Sequence, residues 1–189
     1  MTDILGAVND FILAYIVDTE LEALEQRQIV RGWQNLVSAL PPGTREYAVL
    51  TLLGTRRHGT NVHRYAPAPG DTGLTQTVAN HLLHMVQVDF CCSYPDQGET
   101  RSRSRAELLE MMTRDPIGVD FFRNYNLSAC YAEDPRPLPF MDETKQWVAR
   151  YSVTMHLEGW VEKAVETPAF SDVGVYIENV DVHHPVKNE

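Results

Sequence analysis

The amino-acid sequence predicts an α+β fold, one domain over residues 1–189 in which helices pack on one face of a mainly antiparallel β-sheet with long extended loops. Three observations point there. From Trp147 to Val161 the chain alternates: Trp147, Ala149, Tyr151, Val153, Met155 and Leu157 fall in one row, and Arg150, Ser152, Thr154, His156 and Glu158 in the other. That period of two marks a long strand with one buried side and one wet or partner-facing side. The same period recurs at 46–55 and 84–92 without a repeated βαβ unit, and helical spacing appears after Thr2 and Ser104.

In chain order, Thr2 is a plausible N-cap for an amphipathic helix over residues 1–17, with Ile4, Leu5, Val8, Phe11, Ile12 and Tyr15 at helical spacing. Asp18 and Thr19 interrupt it. Leu21, Ala23 and Leu24 fit either a short helical turn or a direct lead into a strand at Gln28–Arg31. Pro41-Pro42-Gly43-Thr44 is a turn, Glu46–Thr55 a strand, and Arg56–Asn61 a polar turn. Residues 66–77, with two prolines and two glycines, read as an exposed extended loop, and His84–Cys92 as the next strand.

A second extended loop, 93–104, precedes a helix opened by a Ser104/Glu107 capping box and packed through Leu108, Leu109, Met111 and Met112. Pro116 stops or kinks that helix, and Val119, Phe121 and Phe122 resume it. Leu127–Tyr131 suits a short strand. Pro135-Arg136-Pro137-Leu138-Pro139 suits an extended connector or sheet-edge crossing, because proline cannot serve a central ladder. After the long strand, Val173, Val175 and Ile177 predict a last strand, and 183–189 a flexible tail.

With 189 residues, 43% hydrophobic and 22% charged, the chain has the size and composition of one domain with a sizeable core. It has no run of roughly eighteen apolar residues that would cross a membrane, and its N-terminus lacks the basic start of a signal peptide. A cytoplasmic origin is therefore expected. A net charge of −10 disfavours binding to a phosphate backbone, although DNA can pass nearby without sticking. Cys91, Cys92 and Cys130 are odd in number and two are adjacent, which argues for buried free thiols rather than a disulfide framework.

Little of the sequence points to chemistry. His81 and His84 fall on opposite faces of a strand, and no histidine pair has a partner at zinc spacing. Asp18, Glu20, Glu22 and Glu25 lack the glycine and alternating oxygens of a calcium loop, and Gly54–Gly59 lacks the end of a P-loop. No catalytic residue, cofactor or metal is expected. Arg101, Arg103 and Arg105 form a basic patch near a helix start, where cations oppose the helix dipole, so an acidic partner surface is one use for them. With the polar row Arg150, His156 and Glu158 they are the candidate interface residues.

Gly32-Trp33-Gln34-Asn35 ahead of Pro41-Pro42, the Arg57-His58-Gly59-Thr60-Asn61 turn, and the order of elements from Val86 through Leu157 resemble the neck or tail-terminator (head–tail joining) proteins of tailed bacteriophages. The resemblance spans about two thirds of the chain. It implies a structural virion protein, not an enzyme: a ring, usually of six copies, that caps the growing tail tube, ends its polymerisation and joins it to the head connector. The implied partners are other copies of the chain, the major tail-tube protein, a head connector or stopper protein, and genomic DNA passing through the lumen unbound. The implied location is the head–tail junction of the virion, after assembly in the host cytoplasm. The same resemblance admits another head- or tail-completion subunit. A reading from a different class is a small cytoplasmic enzyme or ligand-binding domain using Cys91, Cys92 and His84.

Overall fold

A computed structural model describes residues 3–17, 21–33, 44–67, 73–94 and 97–168. Helix α1 (Ile4–Tyr15) is capped by Asp3, whose carboxylate accepts the Gly6 N–H at 3.0 Å; this moves the cap from the expected Thr2, which lies outside the described residues. Ile4, Ala7, Val8, Phe11 and Ile12 recur at spacings of three and four, and all are buried. After α1 the chain makes no second helix at Leu21–Leu24. It runs irregularly, burying Leu21 and Leu24, through one 3-10 turn (Gln26–Gln28) into β1 (Ile29–Arg31). Gln34, Asn35 and the Pro41–Gly43 turn lie outside the described residues, as do Val173–Ile177 and the tail 183–189.

The remaining strands are β2 (Glu46–Arg57), β3 (Val62–Pro67), β4 (Gly73–Cys92), β5 (Leu127–Ala132), β6 (Arg136–Pro137), β7 (Phe140–Met141) and β8 (Trp147–Pro168). The sheet runs β1-β2-β4-β8-β5, with β3 on β4 and both β6 and β7 on β8. Its described pairings are antiparallel except β1 with β2. The proline segment does lie at the sheet edge, where Arg136 and Pro137 pair with Ser152 and Tyr151.

Two expected loops are largely regular structure. Within 66–77, β3 continues to Pro67 and β4 begins at Gly73, so only 68–72, outside the described residues, separate them. Pro67 ends β3 and Gly73 opens β4, while Thr75, Thr77 and Val78 are β-branched and suit a strand despite their low hydrophobicity. Within 93–104, helix α2 (Gly98–Arg114) begins at Gly98 with Gln97 as N-cap. Ser104 and Glu107 therefore sit inside the helix instead of boxing its start.

The packing face of α2 also differs from expectation. Ser102, Arg105, Ala106, Leu109 and Thr113 turn inward, whereas Met111 is 55% exposed. An inward arginine and two hydroxyl residues made this face look polar in the sequence. Both hydroxyls are satisfied within the helix: Ser102 donates to the Gly98 carbonyl and Thr113 to the Leu109 carbonyl, each at 2.6 Å. At Pro116 the expected break occurs. Asp115 is extended, its carboxylate accepts the Ile117 N–H at 2.9 Å, and Pro116 opens helix α3 (Pro116–Arg123).

All three helices cover one face of the sheet. There Ala48, Leu50, Val86, Val88, Phe90, Val153, Met155 and Leu157 form the core with Phe11, Ile12, Leu109 and Phe122. The register brings Val88 opposite Val153 and Val86 opposite Met155, so the central strands present one continuous apolar surface. Phe11 joins α1 to α3 through ring contacts at 5.2 Å with Phe121 and 4.8 Å with Phe122.

The alternation of β8 holds in its middle and fails at two places. Val153, Met155 and Leu157 are fully buried, but Trp147 is 67% exposed while Val148 is buried. Trp147 pairs with Met141 of the two-residue β7, outside the cover of the helices. In the supposed wet row, Ser152 and His156 are also buried, and Tyr131 stacks on His156 at 4.2 Å. A short edge element thus shields polar side chains that periodicity assigns to solvent.

Candidate functional site

β4 and β8 pair without interruption from Cys92↔Ala149 to Gly73↔Pro168, yet the hydrophobic core takes nothing from β4 before Val86 or from β8 after Leu157. The remaining lengths, Gly73 to Leu83 and Glu158 to Pro168, extend past the core with β3 alongside as a three-stranded arm whose first two ranks still pair with β2 and β5. Eleven residues at about 3.3 Å each give it a length of roughly 35 Å. β4 is its middle strand. Among the described residues the outer edge of β3 is unpaired, and so is that of β8 beyond Gly159, the last partner of β5.

Alternation along the strands assigns the arm's side chains to two faces. One carries Arg64, Glu158, Trp160, Glu162 and Glu166, with Arg64 Nη1 at 3.4 Å from Glu162 Oε1. The other carries His63, Tyr65, Val78, Val161, Lys163 and Val165. Tyr65 is 61% exposed and Val165 46%. Charge divides by edge: residues 53–67 hold Arg56, Arg57 and Arg64 with no Asp or Glu, whereas 158–168 hold Glu158, Glu162 and Glu166 against Lys163.

Where the arm meets the body, the His58 N–H donates to the His81 carbonyl at 3.0 Å. Their rings stack at 5.1 Å, and His81 stacks in turn on Trp160 at 4.6 Å. The Glu158 carboxylate lies 3.0 Å from His58 Nε2 and 3.3 Å from His81 Nε2. Beside this junction opens a cleft of about 870 Å³ lined by Arg64, His84, Arg123, Leu127, Trp160 and others. His84 hydrogen-bonds Thr55 Oγ1 through Nδ1 at 2.9 Å, and burial holds its pKa below the ordinary value.

The six residues chosen from sequence do not come together. Arg105, 1% exposed, is an internal anchor: Nε donates to Glu46 Oε1 at 2.6 Å, and its other nitrogens donate to the carbonyls of Ile16 at 2.9 Å and Glu22 at 2.7 Å. Arg101 donates to Glu46 Oε2 at 2.9 Å and packs over Tyr94. Burial pushes the Glu46 carboxyl up, but the hydrogen bonds from Arg105 and Arg101 outweigh it and leave the pKa lowered. Arg103 is exposed and pairs with Glu107 at 2.7 Å. Arg150 donates to the Leu138 carbonyl at 3.0 Å and lies over Phe140. His156 is held beside Glu133 at 3.2 Å, and only Glu158 reaches the arm.

Sequence reading passed over Arg64, Tyr65 and Trp160, took His58 only as part of the Arg57–Asn61 turn and weighed His81 only as a metal ligand; all five lie in or at the base of the arm. The available signal was length: 73–92 and 147–168 are two strand-compatible stretches of about equal extent, which suits full-length pairing.

His84 and Cys91 lie on opposite faces of β4, and the Cys91 thiol is buried, with its pKa raised to about 12 by that burial. His84 meets the Thr55 hydroxyl rather than a thiol, and no group of three metal ligands occurs among the described residues. The described residues thus form a packed body and a three-stranded arm whose two outer edges are unpaired among them. The chain belongs to the phage neck terminator protein family, whose profile matches residues 3–188. It is accordingly a structural protein of the phage neck and tail region, a component of the virion that meets other phage head or tail proteins, in a family that is not an enzyme class. No curated protein matches the chain.

Proposed function

We propose that copies of this chain close into a ring, of six subunits in the reading the resemblance supports, at the junction of head and tail. The ring caps the tail tube, ends its polymerisation, and joins it to the head connector or stopper protein after assembly in the host cytoplasm. The observation that carries this reading is the family match over residues 3–188. The arm supports it, since a closed ring needs two different surfaces on each subunit and the arm has two unlike edges. The net charge of −10 suits a lumen through which DNA passes without being retained. No described helix is long and apolar enough to cross a membrane.

Light scattering on the purified chain, alone and with tail-tube protein, tests the proposal. The expected result is a species of ring mass, and tubes that stop growing when it is added. A strict monomer that neither binds the tube nor limits its growth would refute the reading.

A further inference from the structure

We propose that neighbouring copies join arm to arm: the outer edge of β8 (residues 160–168) in one subunit adds to the outer edge of β3 (residues 62–67) in the next, so that the sheet continues between subunits. This rests on the ring reading above and assigns its contact surface. An exposed strand edge presents unpaired N–H and C=O groups and is a template for another strand. The arm has two such edges, one on each side of β4, among the described residues.

Charge selects the partner. Joining two β8 edges would set Glu162 and Glu166 against the same acids, and joining two β3 edges would set Arg64 against Arg64. Like charges on neighbouring strands are unfavourable, whereas β8 against β3 places acids beside the arginine. The faces agree as well. Arg64 shares a face with Glu162 and Glu166, while Tyr65 shares the other with Val161 and Val165, so a flush joint brings opposite charges together on one side and exposed apolar groups on the other.

Direction follows from topology. β3 and β8 are both antiparallel to β4, hence parallel to each other. Rotating a subunit about a ring axis aligned with the strands preserves that direction, so the joint is a parallel pair. A parallel joint between unlike edges is heterologous, and each added subunit leaves a fresh edge until the circle closes.

Disulfide trapping tests this in the full chain with Cys130→Ser, combining Tyr65→Cys in turn with Val161→Cys, Lys163→Cys and Val165→Cys. Within one subunit β3 and β8 stand two strand spacings apart, about 9–10 Å, beyond the roughly 7 Å that a disulfide tolerates. Any bond must therefore join different subunits. On oxidation at least one pair should show loss of the monomer band on a non-reducing gel, replaced by a ladder ending at ring size and reversed by reductant. Circular dichroism matching the parent confirms the fold, and light scattering gives the mass before oxidation.

A ring-sized species that forms no cross-link with any pair overturns the edge joint and leaves the ring reading standing. A ladder halting at the dimer overturns it in favour of a symmetric contact. Cross-links that appear only after removal of residues 169–189 overturn it by assigning the β8 edge to the chain's own end. A species that remains monomeric with and without tube protein removes both the ring and the joint.

Discussion

Replacing Glu46 by alanine tests the internal anchor most directly. Glu46 is 7% exposed and accepts from two guanidiniums, and Arg105, at 1% exposed, has no route to solvent. Removing the carboxylate leaves Arg105 charged and buried with only the Ile16 and Glu22 carbonyls as partners. Breaking a buried pair from one side costs about 3–5 kcal/mol, a large share of the roughly 5–15 kcal/mol that holds an ordinary domain together. At about 2–4 °C per kcal/mol for a domain of this size, the melting temperature should fall by about 6–20 °C. Urea unfolding at fixed protein concentration measures the loss. Glu46→Met with Arg105→Met should recover most of it, because two apolar groups replace two desolvated charges. The pair also has a pH signature. The folded pKa of Glu46 is lowered, so its contribution is complete above the ordinary 4.5 and is lost as pH falls through the folded value. A Glu46→Ala protein within 1 kcal/mol of the parent at pH 7 would refute the assignment of Arg105 as an anchored buried charge.

Val153→Asp places an unpaired charge at a fully buried site on the helix-covered face and should abolish cooperative unfolding; a soluble protein with unchanged circular dichroism would contradict the face assignment. Gly118→Ala should destabilise by about 1–3 kcal/mol in a urea titration, since its Cβ would lie 2.2 Å from the Met112 carbonyl oxygen and force α2 and α3 apart. Thiol titration of the folded protein at pH 8 should label Cys130 slowly, since burial raises its pKa to about 11, and label the buried Cys91 and Cys92 only on denaturation. His84 has a folded pKa lowered by burial, so its contribution is present above the ordinary 6.5 and falls away on acidification; the stability lost between pH 8 and 5.5 should shrink in His84→Leu.

The body was more legible in the sequence than the arm. Val153, Met155 and Leu157 alternate against polar neighbours because one side of β8 faces helices, and that contrast is what periodicity detects. In the arm both faces are partly wet, so Thr75, Thr77 and His81 vary without a clear apolar row and resemble a loop. The arginine candidates separate in space for a related reason. Arg105 looks like a surface residue in any composition-based reading, and only the tertiary meeting of α2 with Glu46 of β2 buries it. Paired arginine can occupy a helix's inward face, so a cluster of arginines in sequence does not specify a cluster in space. The Pro116 break and the proline edge at Arg136–Pro137 were readable because proline acts locally, through its own missing donor.

The uninterrupted pairing of β4 with β8 also sets how the molecule transmits force. A hinge in the plane of the sheet would have to break ladder hydrogen bonds beside Leu83 and Glu158, because the same two strands serve both parts. Within that plane the arm is a stiff lever: load on its outer end is carried along β8 to Leu157, Met155 and Val153, beneath the helices. Twisting the pair, or bending it out of the sheet, is softer than bending it in the plane of the sheet, because neither breaks the ladder.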